Sequence, residues 1–238
     1  MKKIFQLTLK SAFRDVYLFF WSLIIPIGGT LALSYFISID NYGSSILTGM
    51  TAVSVLFYAF MTTAFAVLSQ RRRGVYNLLH ITPLPLWKYI VSVSGAWTCI
   101  SAVSSLIVLI VGIIVLKLDI HFLSIILCLP VIILSALCYI FLSFIVSRFC
   151  KNEAHANMLC NFVTLPFMLC STAFYSLENA PHIIRNLSLI NPFEYFITGI
   201  RVAITGNTES YIMCFVILSL FLIVMLILAT KSFRYSDV

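Results

Sequence analysis

Charge is what this sequence has least of. Only 10% of its 238 residues are Asp, Glu, Lys or Arg, against about 25% in an ordinary soluble domain. A soluble fold of this length needs a polar skin around its core, and this composition cannot make one. The motifs of nucleotide and hydrolytic chemistry are missing too. There is no Gly-x-x-x-x-Gly-Lys-Ser/Thr run to cradle nucleotide phosphates, no His-Glu-x-x-His, no Gly-x-Ser-x-Gly elbow and no pair of carboxylates on one helix face. The four histidines (His80, His121, His155, His182) fall in four different connections, so each reads as a loop or interface residue. No catalytic residue and no metal ligand is expected. Seven cysteines (Cys99, Cys128, Cys138, Cys150, Cys160, Cys170, Cys214) sit nearly all within apolar runs, without metal-ligand spacing. They read as small buried hydrophobes, with no disulfide framework.

Long apolar runs are abundant. Apolar residues make up 61% of the chain and the mean hydropathy is +1.07. A membrane-crossing helix takes about 20 such residues, and six stretches qualify: 17–39, 46–69, 89–116, 122–147, 157–175 and 211–230. Pro26 and the pair Gly28–Gly29 interrupt the first, and Pro166 lies in the fifth. Their interiors hold no Asp, Glu, Lys, Arg or His, which argues against a proton-coupled carrier or a pump. Lys2 and Lys3 precede the first run as in a signal peptide. That run starts only near Tyr17 and spans about twenty residues, too long for a cleaved apolar core, so it reads as a retained span. The fold expected is an all-α membrane protein with six transmembrane helices in one domain. Its parts are 1–16, spans 17–69, a loop 70–88, spans 89–147, a loop and span 148–175, an outer region 176–210 and the last span with its tail, 211–238.

Orientation follows from the basic residues. Twelve of the fifteen Lys and Arg fall on one side, in 1–16, 70–88, the link at Arg148 and Lys151, and the tail; Lys117, Arg185 and Arg201 fall on the other. The positive-inside rule then places both termini in the cytoplasm, with the chain multi-pass in the cell membrane. Asp40, Asp119, Glu178, Glu194 and Glu209 lean outward. The net charge of +7 is read as this topological signal and not as a nucleic-acid footprint. In 1–16, Phe5, Leu9, Phe13 and Val16 share one helical face, with Lys3, Lys10 and Arg14 roughly opposite, though Ile4 and Leu7 break the pattern. The segment suits a helix lying on the lipid of the inner leaflet. A cytosolic lead-in whose cations only set topology is the alternative.

Two regions depart from plain spans. The first is the cytoplasmic loop 70–88. The second, 176–210, is long yet apolar, and reads as short helices dipping back into the outer leaflet, which requires burial of their backbone by protein. In the third span, Ser94 and Thr98, and Ser101 and Ser105, are small residues four apart, suited to close helix packing or to lining a route. Asn157 and Asn161 open the fifth span on one face.

In this layout the chain resembles the small permease subunits of type-two ABC exporters over nearly its whole length. The sharpest match is Arg73-Gly74, then Leu78-Leu79 and Thr82-Pro83, with Trp87 and Tyr89 leading into the third span. In that family the segment forms a coupling helix that docks on the ATPase, and here Arg71, Arg72 and Arg73 precede it. Gly74 permits a turn, 75–80 can form a short amphipathic helix, and Thr82-Pro83 ends it. The arginines serve equally well as a plain positive-inside anchor. The family often has a Glu ahead of this Gly, where this chain has Gln70 and three Arg. The second match is Asn161, Pro166, Phe174, Pro181, then Asn191-Pro192-Phe193-x-Tyr195, Gly199 and Arg201. It resembles the family's fifth span and its outer re-entrant gate, with Thr172 or Ala173 where a Gly is common. Glu194 and Arg201, seven apart, fall on one helix face. The resemblance implies no cofactor on this chain, with ATP and Mg held by a cytosolic ATPase subunit. It also implies a second permease subunit, identical or homologous, and export of hydrophobic or amphipathic cargo such as drugs or antimicrobial peptides. A lipid-linked polymer, sodium, or a non-transporting sensor or scaffold are the alternatives.

Overall fold

An apolar chain in lipid must close its backbone hydrogen bonds within each segment, because no water is there to complete them. In the computed structural model the described residues are 2–14, 16–36, 42–75, 86–175, 177 and 180–232. They are helical almost throughout and contain no strand. α1 (Lys2–Arg14) leads into α2 (Val16–Phe36). α3 (Tyr42–Val55) runs through a π-helical stretch, Leu56–Thr62, into α4 (Thr63–Arg72). There follow α5 (Leu86–Leu116), α6 (Phe122–Phe149) and α7 (Glu153–Leu169). Two short helices, α8 (His182–Ser188) and α9 (Pro192–Thr205), precede α10 (Thr208–Ser232).

Among the described residues, four helical segments are long and apolar enough to cross a membrane: Gly43–Arg72, Lys88–Leu116, Phe122–Phe149 and Thr208–Lys231. Of the two remaining expected crossings, the first is α2, Val16–Phe36, with Ser22–Tyr35 as its described apolar stretch, and α7 stops at Leu169 instead of running to Tyr175. Its end is local chemistry: Cys170 N–H still donates to Pro166 O at 2.9 Å, after which the chain turns.

α6 is the hub. It packs against α10, α9, α5, α4 and the π-helical stretch, while α3 packs on α2, α5 and α9. Tyr58, Phe60, Tyr139, Phe144, Phe193 and Phe196 form the fully buried centre. There Tyr139 meets Phe196 edge-on at 6.4 Å, and Tyr58 tilts against Trp97 at 6.1 Å. α10 shows Leu220, Ile223, Val224 and Ile227 outward, as a helix bordered by lipid would.

α1 packs along α5. Ile4 and Leu9 join the core, and the Phe5 ring lies 3.5 Å from where a Cβ on Gly95 would stand. Ile4, which broke the sequence pattern, is thus part of the packed face, and Leu7 is exposed. The side chains of Phe13, Arg14 and Val16 lie outside the described set.

Two contacts show how α2 and α3 hold the rest. Pro26 has no N–H to offer the carbonyl one turn earlier, that of Ser22. Ser54 Oγ, from α3, donates to that carbonyl at 3.3 Å. Farther up α3, Gly49 faces the Ala173 carbonyl so closely that a Cβ there would collide with backbone. A glycine is what lets the link after α7 rest directly on α3.

Candidate functional site

The end of α4 forms the first cluster. Arg73 N–H donates to Ser69 O and Gly74 N–H to Arg71 O, each at 3.1 Å. Gly74 has φ of 69°, a left-handed conformation that glycine takes without strain. The chain therefore leaves α4 through a tight reversal. Beyond it, Leu78, Leu79, Thr82 and Pro83 lie outside the described residues, as does the expected helix over 75–80 apart from Val75.

Arg71 and Arg72 make different contacts. Arg71 turns to its own chain: Nη1 donates to Ser147 O at 3.4 Å and Arg148 O at 3.3 Å, and Nη2 to Cys150 O at 2.6 Å. The last carbonyls of a helix have no intrahelical donor and sit at the negative end of its dipole. Arg71 supplies both the donors and the charge to the end of α6. Arg72 Nη1 lies 3.2 Å from Glu153 Oε1, both side chains being well exposed, so the pair contributes little. Glu153 is the first residue of α7, and Asn152 Oδ1 caps that helix by accepting from His155 N at 2.7 Å. Burial pushes the Cys150 thiol above its usual range, with the Arg71 charge pulling it back.

Tyr89 Oη donates to Gln70 Oε1 at 2.7 Å, joining the start of α5 to the end of α4. Gln70, in the place of the family's Glu, is a neutral acceptor within this tie. Segment 73–88 is thus anchored on both flanks. The sequence marked Gln70, Arg71 and Tyr89 but not the bonds they make, because α6 carbonyls and a pairing across nineteen residues carry no local signal.

At the other end of the molecule lies the second cluster. Asn191 caps α9 by accepting from Phe193 N at 3.0 Å, with Pro192 following at the first helical position, where a missing N–H costs nothing. The same side chain donates through Nδ2 to Phe167 O at 2.8 Å and Cys170 O at 2.9 Å, completing the end of α7. Glu194 accepts from Thr172 N at 2.6 Å and Thr172 Oγ1 at 2.8 Å. Arg201 Nη2 donates to Thr172 O at 3.3 Å. Glu194 and Arg201 do share a face of α9, and they meet on Thr172, with no ion pair between them. The hydroxyl of Thr172, one of the two residues expected where a Gly is common, is in use. Pro181 precedes α8 as its cap residue. A cavity of about 760 Å3 opens beside these residues, with Ser45 from α3 on its wall.

The uncharged polar residues are dispersed. Ser94, Thr98, Ser101 and Ser105 are buried in α5. Thr98 Oγ1 donates to Ser94 O at 2.8 Å and Ser105 Oγ to Ala102 O at 3.1 Å, whereas Ser94 Oγ and Ser101 Oγ are buried without a partner. Asn161 Nδ2 donates to Asn157 Oδ1 at 3.0 Å on the side of α7 that also shows Met158, Phe162, Leu165 and Leu169 outward. No cluster of three or more His, Cys, Asp or Glu that could hold a metal occurs among the described residues.

The described residues thus form an all-helical membrane domain with a tight turn after α4 and two short helices before α10. The family model of the ABC-2 type transporter matches residues 1–205, and the chain belongs to that family. It is accordingly a transmembrane component of an ABC transporter and a multi-pass membrane protein. The family implies a partner ABC ATPase. Comparison with curated proteins returns no match.

Proposed function

We propose that this chain is the permease of an ABC exporter that moves hydrophobic or amphipathic cargo, such as drugs or antimicrobial peptides, out of the cell. In this reading α2 and α7 complete six crossings, both termini are cytoplasmic, and α8 and α9 form the outer re-entrant gate before α10. A separate cytosolic ATPase binds ATP and Mg and docks on 70–88, through Arg72, Arg73, Gly74 and the stretch containing Leu78, Leu79, Thr82 and Pro83. The observation that carries the reading is the double anchorage of that segment. Arg71 ties its start to the end of α6, and Tyr89 ties its far flank to Gln70.

A push on the segment therefore reaches α4, α5 and α6 together. Nucleotide-driven closure of the ATPases biases the helices between two packings, which is what alternating access requires. Cargo follows from the absence of charge within the expected spans, which leaves no partner for an ion or a proton inside the membrane.

A second permease, identical or homologous, completes the transport unit. Its support is the outward side of α7: the Asn157–Asn161 pair among apolar residues costs more facing lipid than facing another helix that it can hydrogen-bond.

The test is purification of the tagged chain, co-expressed with its genomic neighbours. A stoichiometric ATPase whose turnover changes with candidate drugs or peptides is the expected result. A clean membrane protein with no ATPase partner would overturn the reading, and an ATPase indifferent to every cargo would favour a sensor.

A further inference from the structure

The cavity at the end of the molecule opposite Gly74 has a charge pattern that neither coupling nor gating uses. Among the described residues its lining includes Arg185, Arg201 and His182 but no Asp or Glu. Arg201 is half-buried. Its Nε is buried without a hydrogen-bond partner, and its hydrogen bond to Thr172 O is long, at 3.3 Å. A guanidinium carries five N–H donors, so most of its capacity is unspent. Glu194, on the same helix face, is occupied by Thr172. Among the described residues Arg185 makes no ion pair either. Asp40 and Glu178, in the adjoining links, lie outside the described residues. A partly buried cation that has no anionic partner among the described residues is costly, and a bound oxyanion removes that cost.

We propose that this cavity binds a phosphate group, with Arg201 and Arg185 as its charged contacts. The two forks come from different helices, α9 and α8, and suit an anion with several acceptor oxygens. Tyr175 and Asn186 add neutral donors on the wall. At about 760 Å3 the space exceeds what phosphate alone requires and lies within the range of sites for larger organic molecules. A phospholipid head group and a soluble phosphate ester share the chemistry. This site goes beyond the transport reading and holds whatever the cargo is.

The full chain in nanodiscs tests it. One arm titrates inorganic phosphate against chloride at constant ionic strength in phosphatidylcholine discs and follows the unfolding temperature. The other uses discs containing phosphatidylglycerol and counts the lipids retained by native mass spectrometry. A saturable phosphate response assigns a soluble phosphate, and preferential retention of phosphatidylglycerol without it assigns a head group. In either case Arg185→Gln and Arg201→Gln should weaken binding roughly tenfold or more, the scale of one charged hydrogen bond. Arg201→Gln also loosens Thr172, so Arg185→Gln, changing an exposed side chain, decides the matter if the first variant fails to fold. Lys117→Gln, a cation at the same end but off the cavity, should bind as wild type. No response in either arm overturns the proposal. So does binding that survives both arginine changes, or that falls equally in the Lys117 variant.

Discussion

Arg71 Nη2 lies 2.6 Å from the Cys150 carbonyl, and the same guanidinium reaches two more carbonyls at the end of α6. Hydrogen bonds from a charged donor are worth about 1.5–3 kcal/mol each when shielded. Arg71 is half-exposed, so the net loss in Arg71→Ala is expected at about 1–2 kcal/mol. Arg71→Lys should restore only part, since one ammonium cannot span three carbonyls. Thermal unfolding in detergent reads the stability. Maleimide labelling, in a variant whose sole cysteine is Cys150, reads the local loosening. That thiol is buried and its ionisation is suppressed, so labelling is slow in wild type and should quicken in Arg71→Ala. Unchanged stability and labelling would show that the arginine is free to serve the ATPase alone. Ser54 offers a second check at this scale. Its hydroxyl answers the carbonyl that Pro26 leaves open. Ser54→Ala should cost about 0.6–1.7 kcal/mol, the range of hydrogen bonds between membrane helices. In a Pro26→Ala background, where the Ser22 carbonyl regains a helical donor, the same change should cost measurably less.

At the scale of elements, α7 and α9 are joined by a single short side chain. Asn191 caps one helix and completes the other, and it is almost fully buried. Asn191→Ala should lower stability by about 2–3 kcal/mol, a lost cap plus unsatisfied carbonyls. Asn191→Asp keeps the acceptor for Phe193 N but aims a carboxylate at Phe167 O and Cys170 O, so it should be no better than Ala. An Asp variant as stable as wild type would mean that the ties to α7 contribute nothing. The helices themselves were legible from their apolar runs, since in lipid each segment must satisfy its own backbone. Asn191-Pro192 carries a local helix-start signal of its own, an Asn cap followed by Pro at the first helical position. What Asn191 Nδ2 reaches was not, because its partners lie more than twenty residues away and are carbonyls that every sequence has. Glu194 and Arg201 were placed on one face by their spacing, yet that spacing gives no hint that Thr172 stands between them. The π-helical stretch Leu56–Thr62 was equally hidden: its composition is that of any buried apolar helix. The early end of α7 escaped for a related reason, since apolar character continues past Leu169 while the hydrogen bonding does not.

For the whole molecule, the question is whether force entering at 73–88 is carried to the membrane helices. Gly74 is the place to ask, because it separates transmission from folding. Its φ of 69° is closed to proline, which is fixed near −65° and has no N–H, so Gly74→Pro loses both the reversal and the bond to Arg71 O. The turn lies at the edge of the helical body, while the Arg71 contacts to α6 and the Tyr89–Gln70 tie lie within it. The spans should therefore stay folded, with an unfolding temperature within a few degrees of wild type. Nucleotide hydrolysis by the assembled transporter should continue, but cargo should no longer change its rate, and export should fall at least about tenfold, the equivalent of roughly 1.4 kcal/mol of lost coupling. Reversing Arg72 and Arg73 to Glu tests docking separately. Their side chains are exposed and the Arg72 ion pair is weak, so the change should weaken ATPase association while leaving the permease folded. The two outcomes differ in kind: Gly74→Pro keeps the partner and loses the coupling, whereas the charge reversal loses the partner. Full export by Gly74→Pro would mean that the turn transmits nothing and that coupling enters through another contact. Normal ATPase association after charge reversal would leave docking to the apolar part of the segment around Leu78 and Leu79.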